Sequence, residues 1–346
     1  MNIHAKRIKD LQYLLKKNRL DAVVVDRKLE TSFLTGYKQE GVVLLVTRNG
    51  AWGFMPKMFV DDFNAFAGSF VKASAPDTLM GAAVQKAREL KLKKTAFEPE
   101  TATYQSGNFW KKSGFAEHAG LIQPLRAVKE GEELELLRKS CRIAAKAFGV
   151  LKPKIKTGCT ERSVACELDH IMQKMGATGP SFSLIVGFGP NSALPHHETS
   201  DRKLRNNEAV LIDYGCVYGG YCSDITRTYF HGRPSDEFRK VYAIVDRSQK
   251  AGVAKVRAGV DSRDVDSACR DIIADAGYGQ YFTHSTGHGI GLEIHEAPRL
   301  SVKSTGPLAA GMAVTVEPGI YLHGRFGVRI EDSVLVTRTG REILTK

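Results

Sequence analysis

Five residues in the carboxyl-terminal half of the sequence carry side chains that are typical of a metal site. Four are acidic and one is an imidazole: Asp213, Asp224, His288, Glu317 and Glu331. This oxygen-rich set suits a pair of divalent ions such as manganese, cobalt or zinc better than metals that prefer thiolates. Because paired ions hold and activate a water molecule, the set predicts a hydrolytic reaction.

Asp213 and Asp224 lie on two strand-like runs around a glycine turn, a pattern typical of a β-hairpin. A turn centred on Tyr218-Gly219 places the two aspartates directly opposite each other, whereas a turn centred on Gly219-Gly220 makes them diagonal neighbours. Either register puts both carboxylates on one face of the sheet. Like charges so placed repel each other, which favours a cation between them. Two solvent-facing aspartates on a wet sheet face are the alternative.

Glu317 and Glu331 stand where strands are expected to bury side chains. Ala313–Val316 precedes Glu317, and Gly327–Ile330 precedes Glu331. Buried carboxylates are costly unless they are paired or coordinated. Arg329 is expected on the same strand face as Glu331, so an ion pair could account for Glu331 alone. It could not account for four acids and an imidazole.

His288 is flanked by Gly287 and Gly289, which would let the backbone approach a ligand closely. A lone histidine is more often a core or surface residue than a ligand, and this alternative stays open for His288 taken by itself. The neighbouring glycines do not have the G-x-G-x-x-G spacing of a nucleotide-binding loop.

The elements that must position these residues fall into two parts. From residue 3 to about 125, amphipathic helices alternate with short apolar strands, which predicts an α/β domain without chemistry of its own. A helical stripe covers Ile8 to Leu15, the runs Ala22–Val25 and Val42–Val46 read as buried strands, and Asn49-Gly50 follows as a turn. A further helix is expected from Thr78 to Leu90.

A boundary is expected near Val128-Lys129, where Glu130–Glu133 opens a long helix with acidic residues in its first turn. A second helix is expected from Thr160-Glu161 to near Gly176. Ser235 and Asp261 are expected to cap two more helices, with Gly277 closing the last. The order helix, helix, strands therefore occurs twice, which suggests two related halves without a detectable sequence repeat.

The bulk composition excludes several classes of function. The chain has 346 residues and a net charge of +12, but its basic residues are scattered in pairs. Without a zinc finger, an aromatic-basic RNA signature or a basic helix, we expect no nucleic-acid partner. We also expect no membrane span and no secretory signal. The six cysteines contain no C-x-x-C pair and suit a reducing, cytoplasmic compartment.

At this point the motifs become recognisable as those of a known family. They are Gly189–His196, the Asp213 and Asp224 hairpin, His284–Gly291, His295–Pro298, Glu317–Gly319 and Arg329–Asp332. Over essentially its whole length the chain resembles the creatinase/aminopeptidase, or "pita-bread", metallopeptidases, and among them the Xaa-Pro aminopeptidases and Xaa-Pro dipeptidases (prolidases). The resemblance implies an α/β creatinase-like domain over residues 1–127 and an α+β pita-bread catalytic domain over residues 128–346.

The resemblance also implies roles for individual residues. Asp213 would bind one metal, Asp224 and Glu331 would bridge both metals, and His288 and Glu317 would complete the second site. Glu317 would also move a proton. His196 and His295 would hold the substrate and the developing charge, His284 would line the proline subsite, and Arg299 and Arg329 would contact the substrate. His197 departs from the family, where glycine is frequent at this position.

The activity that this resemblance implies is cleavage of the Xaa-Pro bond at the amino terminus of peptides. The cofactor would be two divalent ions per subunit, with manganese first and cobalt or zinc as alternatives. Arg299 favours dipeptides, because a guanidinium recognises a carboxylate bidentately, although a surface arginine is the alternative reading. The partners would be Xaa-Pro dipeptides or short peptides with proline at position two, and a second copy in a homodimer. A peptide-binding protein without catalysis and an aminopeptidase of other specificity remain alternatives.

Overall fold

The computed structural model describes residues 2–346 and divides into two compact units. The first unit ends at Arg126 and the second covers Ala127–Lys346. Among residues 2–346, no helix combines the length and the apolar character needed to cross a membrane.

The first unit is an α/β layer structure, as the alternating pattern predicts. Its elements are α1 (Ile3–Lys17), β1 (Ala22–Val25), α2 (Lys28–Thr35), β2 (Val43–Thr47), β3 (Ala51–Phe54), α3 (Val60–Ala67), β4 (Lys72–Ser74), α4 (Leu79–Glu89), β5 (Thr95–Phe97), α5 (Tyr104–Lys112) and β6 (Ala116–Glu117). A short helix, α6 (Gln123–Ala127), runs across the division between the units.

The strands of the first unit form one six-stranded sheet in the order β4-β3-β2-β1-β5-β6. Strand β1 pairs antiparallel with β2 and parallel with β5, which makes the sheet mixed. Both predicted strands are present, and Asn49-Gly50 forms the turn between β2 and β3. The helix expected after Thr78 is α4.

The second unit contains the remaining helices and strands. They are α7 (Glu132–Leu151), α8 (Glu161–Lys174), β7 (Gly179–Pro180), β8 (Ile185–Phe188), β9 (Glu208–Tyr214), β10 (Cys216–Tyr218), β11 (Tyr221–Cys222), β12 (Ile225–His231), α9 (Asp236–Lys255), α10 (Ser262–Asp275), β13 (Gly287–Gly289), β14 (Glu296–Leu300), β15 (Ala313–Val316), β16 (Gly319–Leu322), β17 (Phe326–Arg329), β18 (Asp332–Val336) and β19 (Arg341–Ile343). Two helices followed by strands occur twice, which confirms the predicted order.

The helix ends follow the capping residues of the sequence. Thr160 forms a capping box with Ser163 at the start of α8, and Ser235 accepts from the backbone N–H of Phe238 at the start of α9. Asp261 caps α10, and Gly277 follows that helix with a φ of 84°. These four predictions are confirmed.

Four sheets carry the strands of the second unit. Their orders are β11-β10-β7, β12-β9-β8, β14-β13-β15-β18-β19 and β16-β17. Large apolar clusters pack the helix pairs against these sheets: one joins α7 and α8 to β8, β9 and β12, and the other joins α9 and α10 to β15 through β18. The acidic residues of interest therefore stand on strands backed by buried helices.

The predicted hairpin is present, with the turn centred on Gly219-Gly220. Val217 faces Cys222, and farther along the strands Asp213 faces Thr226, so Asp213 and Asp224 are diagonal neighbours. The hairpin is interrupted at Gly215, where an added Cβ would lie 1.8 Å from the carbonyl oxygen of Ser223. Only glycine permits this close approach of the two strands, and Asp224, next to Ser223, lies outside the ladder.

The prediction that Arg329 and Glu331 share one strand face is wrong. Strand β17 ends at Arg329 and β18 begins at Asp332, so Glu331 lies at the junction between two sheets. Both side chains contact Thr226 Oγ1, but Arg329 forms its ion pair with Asp213 instead of Glu331.

Candidate metal centre

All ten residues that the sequence singles out line one cavity of about 830 Å³ in the second unit. They are His196, Asp213, Asp224, His284, His288, His295, Arg299, Glu317, Arg329 and Glu331. Phe182, Ile185 and Phe282 supply apolar wall between them. Residues more than 100 positions apart in the chain thus meet at one place.

Three carboxylates form the centre of the cavity wall. One ligand oxygen each from Asp213, Asp224 and Glu331 lies within 4.8 Å of the other two. Asp213 stands on β9, Asp224 immediately before β12, and Glu331 between β17 and β18. Their exposed fractions are only 9%, 4% and 1%. Water therefore does little to screen their charges from one another.

The buried carboxylates of this cluster repel one another, which favours bound cations. Burial raises the pKa of Asp224 and of Glu331 well above the ordinary range, and the neighbouring carboxylates add to both shifts. Burial also raises the pKa of Glu317 to about 8. Two buried oxygens, Asp213 Oδ1 and Glu331 Oε1, have no hydrogen-bond partner within the described chain. Divalent ions would satisfy both the charges and these oxygens.

His288 adds the nitrogen ligand. Its Nδ1 lies 3.1 Å from the carbonyl oxygen of Gly289, which can only accept, so Nδ1 carries the hydrogen. Its Nε2 lies 3.5 Å from Asp224 Oδ2 and 3.4 Å from Glu317 Oε1. Burial and the nearby His295 lower the pKa of His288 to about 4, so the ring is neutral. A lone pair that faces two carboxylates is the arrangement of a metal-binding imidazole.

The five predicted ligands therefore fit divalent ions, with hard carboxylate oxygens and one imidazole around a common point. The glycines beside His288 serve a different purpose from the predicted one. An added Cβ would lie 2.0 Å from the carbonyl oxygen of Thr315 at Gly287 and 2.3 Å from that of Ala297 at Gly289. They let the adjacent strands β14 and β15 approach β13 rather than a ligand.

Arg329 is buried and its guanidinium is surrounded by protein acceptors. It donates to Asp213 Oδ2 at 2.6 Å and to Tyr321 Oη at 2.7 Å. It also donates to Thr226 Oγ1 at 3.1 Å and to the Pro195 carbonyl oxygen at 3.3 Å. Through these contacts the guanidinium holds Asp213 in place. Arg329 also lines the cavity, and its contact with a substrate stays a prediction.

His284 is locked in a neutral form. Its Nδ1 donates to the Ser285 carbonyl oxygen at 2.8 Å, and its Nε2 lies 2.8 Å from Tyr321 Oη. Burial, together with the charge of Arg329, lowers the pKa of His284 to about 4. With both nitrogens occupied by protein groups, the ring presents its carbon edge and face to the cavity.

The open side of the cavity carries His196, His295 and Arg299, which are all exposed. The ring of His295 lies 4.4 Å from that of His288, edge to face. Burial lowers the pKa of His295, with further effects from Arg299 and His196. Within the described residues Arg299 has no ion pair with a carboxylate. Its charge is therefore available to a bound anion.

Sequence reasoning missed four residues at this site: Thr226, Arg270, Lys303 and Tyr321. Thr226 donates to Glu331 Oε2 at 2.7 Å, and Arg270 holds the backbone carbonyl groups of Phe282 and His284. Lys303 lines the cavity beside Arg299. Thr226 and Tyr321 stand within four residues of predicted ligands, a signal that could have found them. Arg270 lies on α10, and nothing in its sequence spacing connects it with the cavity.

Comparison with known protein families agrees with this geometry. Residues 135–338 match the model of metallopeptidase family M24, and residues 7–128 match that of the creatinase/prolidase N-terminal domain. The chain belongs to metallopeptidase family M24. Members of this family act with divalent metal ions, and the M24 chain described here is accordingly a metallopeptidase.

Relatives of this M24 metallopeptidase cover almost all of its length. The Xaa-Pro dipeptidase of Pyrococcus horikoshii is 34% identical over 354 residues, covering 100% of this chain and 98% of the relative. The solved Xaa-Pro dipeptidase of Bacillus anthracis is 37% identical, with a TM-score of 0.95 over 99% of this chain and 98% of that one. An X-Pro aminopeptidase from Thermotoga maritima is 32% identical, with a TM-score of 0.85 and coverage of 96% and 97%. The fold is the creatinase-like and pita-bread combination that the resemblance implied.

Proposed function

We propose that this chain is a dinuclear metal-dependent exopeptidase that hydrolyses the bond between an amino-terminal residue and proline, with Xaa-Pro dipeptides as preferred substrates. The observation that carries the proposal is the convergence of the three carboxylates of Asp213, Asp224 and Glu331, with the Nε2 of His288 close to both Asp224 and Glu317, on one wall of a cavity. The relatives named Xaa-Pro dipeptidase support the substrate class.

In this proposal the site takes two divalent ions, manganese first and cobalt or zinc as alternatives. Asp213, Asp224, His288, Glu317 and Glu331 would hold these ions, as the family resemblance implies. Such ions polarise a carbonyl oxygen and lower the pKa of a water molecule. The chain therefore needs no activated serine or cysteine as nucleophile.

The remaining polar groups act on the substrate. The Glu317 carboxylate accepts a proton and passes it towards the proline nitrogen as the peptide bond breaks. His196 and His295, on the open side of the cavity, donate hydrogen bonds to the substrate carbonyl oxygen as its negative charge develops. A donor of this kind is worth about 3 kcal/mol in the transition state.

The ring and the carboxylate of the carboxyl-terminal proline are recognised by different side chains. The proline ring packs against the carbon edge of His284 and against Phe282, because neither ring offers a free polar group there. Arg299 binds the carboxylate of a dipeptide in a bidentate manner. Both the ring and the carboxylate of the proline are thus held when the substrate has two residues.

The proposal extends to the organisation of the protein. We assign residues 1–127 to a creatinase-like domain and residues 128–346 to the catalytic domain. We also propose a homodimer, on the strength of the family resemblance. All six cysteines are free thiols, which supports a reducing compartment such as the cytoplasm.

The metal requirement tests the proposed activity. The purified protein is treated with a chelator, assayed on Ala-Pro, and assayed again after manganese, cobalt or zinc is added back. We expect hydrolysis to disappear with the chelator and to return with at least one of the metals. If Ala-Pro is hydrolysed under none of these conditions, the chain is a peptide-binding protein and the proposal is wrong.

Chain length tests the dipeptide preference. An Xaa-Pro aminopeptidase is the second candidate, because the chain also resembles a solved X-Pro aminopeptidase. We expect Ala-Pro to have a lower KM than Ala-Pro-Ala or Ala-Pro-amide, and Arg299→Ala to remove that difference. Arg338→Ala, which removes an exposed charge elsewhere on the same unit, is the matched control. An unchanged KM for Ala-Pro in Arg299→Ala excludes Arg299 as the carboxylate-binding group.

A further inference from the structure

The segment that carries His196 is anchored to the protein on both sides of that residue. We call residues 189–200, between β8 and β9, the His196 segment. His196 itself is exposed, and its imidazole has no hydrogen bond to another described group. The position of the ring therefore depends on how firmly the backbone around it is held.

Glu161 forms the first anchor. It is the first residue of α8, is fully buried, and uses both carboxylate oxygens to accept hydrogen bonds. The donors are the Phe188 N–H (2.9 Å), Asn191 Nδ2 (2.9 Å), His197 Nε2 (2.8 Å), the Ser200 N–H (3.1 Å) and Ser200 Oγ (2.5 Å). Except for Phe188, which immediately precedes it, all the donors belong to the His196 segment. One buried carboxylate thus gathers both ends of the segment.

His197 is the side chain that connects this anchor to His196. Its imidazole is only 9% exposed and points inward to Glu161, whereas the neighbouring His196 is exposed. Burial by itself would raise the pKa of Glu161, but hydrogen bonds from Ser200 and His197 bring it below the ordinary value. The carboxylate is therefore charged, and His197 Nε2 must carry the hydrogen that it donates.

The second anchor lies on the other side of His196. The carbonyl oxygen of Pro195 accepts a hydrogen bond from Arg329 Nη1, and the same guanidinium holds Asp213. Nearer the start of the segment, Ser192 Oγ accepts a hydrogen bond from the Gly327 N–H at 2.9 Å. His196 thus stands between Pro195, which is tied to the carboxylate cluster through Arg329, and His197, which is tied to α8 through Glu161.

We propose that His197 and Glu161 are positioning residues that hold the imidazole of His196 where it can reach the substrate carbonyl oxygen. The inference rests on the proposed function, since it requires His196 to act on the substrate. A displacement of about 1 Å from a reactive position can lower a rate on the order of a hundredfold. Loss of the His197 hydrogen bond would loosen the backbone next to His196 and leave a buried charge with one donor fewer.

A double-mutant cycle tests this inference. His197→Leu removes the donor while keeping a side chain of similar bulk, and His197→Gln keeps an N–H donor. Each is made in the wild-type protein and in His196→Ala, and kcat and KM on Ala-Pro are measured with metal content and circular dichroism. We expect His197→Leu to lower kcat by about tenfold to a hundredfold with a much smaller change in KM. His197→Gln should restore most of the loss.

The decisive comparison is between the effect of His197→Leu in the wild-type protein and its effect in His196→Ala. In His196→Ala, the replacement His197→Leu should have no further effect, because the ring it positions is already gone. Arg162→Ala is the matched control, since the exposed Arg162–Asp201 ion pair also joins α8 to the chain just after the His196 segment. This variant should keep the wild-type kcat.

The possible results distinguish a failure of this inference from a failure of the proposed function. An equal loss from His197→Leu in both backgrounds overturns the inference and leaves His197 with a general structural role. A wild-type kcat in His197→Leu overturns it as well. If the wild-type protein does not hydrolyse Ala-Pro at all, the proposed function fails and the inference falls with it. If His197→Leu does not fold, His197→Ala, which introduces no new bulk, replaces it in the cycle.

Discussion

Among single residues, Asp224 depends most directly on a nearby cation. It is 4% exposed and faces Glu331, Asp213 and Glu317, which together with burial raise its pKa well above the ordinary range. Without a cation, the Asp224 carboxylate therefore does not stabilise the folded protein. A carboxylate that is unfavourable without an ion is expected where the ion is required for function.

We expect Asp224→Asn to abolish turnover while leaving the fold intact. The amide keeps the shape of the side chain but removes one negative charge from the ligand set, so metal content and kcat should both fall, kcat by more than about a hundredfold. Metal analysis and Ala-Pro hydrolysis measure these effects. Asp271→Asn, at an exposed position on α10, is the control. A near wild-type rate in Asp224→Asn would contradict the two-metal proposal.

A second buried carboxylate, Glu30 in the first unit, makes a prediction about pH. Burial and the nearby Glu98 raise the pKa of Glu30 to about 7. The folded unit therefore binds this proton more tightly than the unfolded chain, whose carboxyl has a pKa of 4.5. The contribution of Glu30 to stability is fully present below pH 4.5 and is lost as the pH rises to about 7.

Glu30→Gln should remove this pH dependence. At pH 8 we expect the variant to be more stable than the wild type by on the order of 2 kcal/mol, and at pH 4 to differ little. Denaturant unfolding followed by tryptophan fluorescence reports the first unit, because both tryptophans, Trp52 and Trp110, lie there. Glu40→Gln, at a position 81% exposed, is the control. Equal effects at both pH values would show that folding does not shift the pKa of Glu30.

Among the elements, the hairpin formed by β9 to β12 is the one on whose shape the site depends most. At Gly215 an added Cβ would lie 1.8 Å from the Ser223 carbonyl oxygen and 2.3 Å from Ser181 Oγ. An added methyl group cannot fit at this close approach without movement of the backbone, and such movement would shift Asp224.

Gly215→Ala should therefore destabilise the second unit by about 1–3 kcal/mol or more, as overpacking does, and should lower metal affinity. Thermal unfolding followed by circular dichroism and metal titration measure the two effects. Gly149→Ala is the matched control, because Gly149 lies within α7 and an added Cβ there meets nothing within 4 Å. That variant should gain about 0.5–1 kcal/mol. Similar stabilities for the two variants would show that the hairpin tolerates a side chain at Gly215.

At the scale of the whole molecule, metal binding should contribute to the stability of the second unit. The ligands come from β9, the start of β12, β13, the end of β15 and the junction of β17 with β18, so the unfolded chain cannot present them together. At a metal concentration a hundred times the Kd, binding adds about 2.7 kcal/mol.

We expect manganese to raise the unfolding temperature of the second unit by about 5–10 °C relative to the protein with chelator. Circular dichroism or calorimetry measures the shift. His288→Ala lacks one ligand, so its unfolding temperature should change much less on addition of the metal. An unfolding temperature that is independent of metal in the wild type would show that the ligands bind no ion with useful affinity.

The sequence by itself determined the local elements and the candidate ligands. The caps Thr160, Ser235 and Asp261 and the α/β pattern of the first unit depend on neighbours within a few residues. The ligand residues were recognisable because their motifs are specific. The sequence left two possible registers for the hairpin, because a turn centred on Tyr218-Gly219 and one centred on Gly219-Gly220 both suit this glycine-containing stretch.

Only the tertiary structure decided which partner each site residue meets. Arg329 pairs with Asp213 rather than Glu331, because the chain changes sheets between them. Tyr321 locks His284, and Glu161 at the start of α8 holds the segment around His196. These contacts join residues 36 to 116 positions apart, and their geometry depends on how helices and sheets pack, which local sequence patterns do not encode.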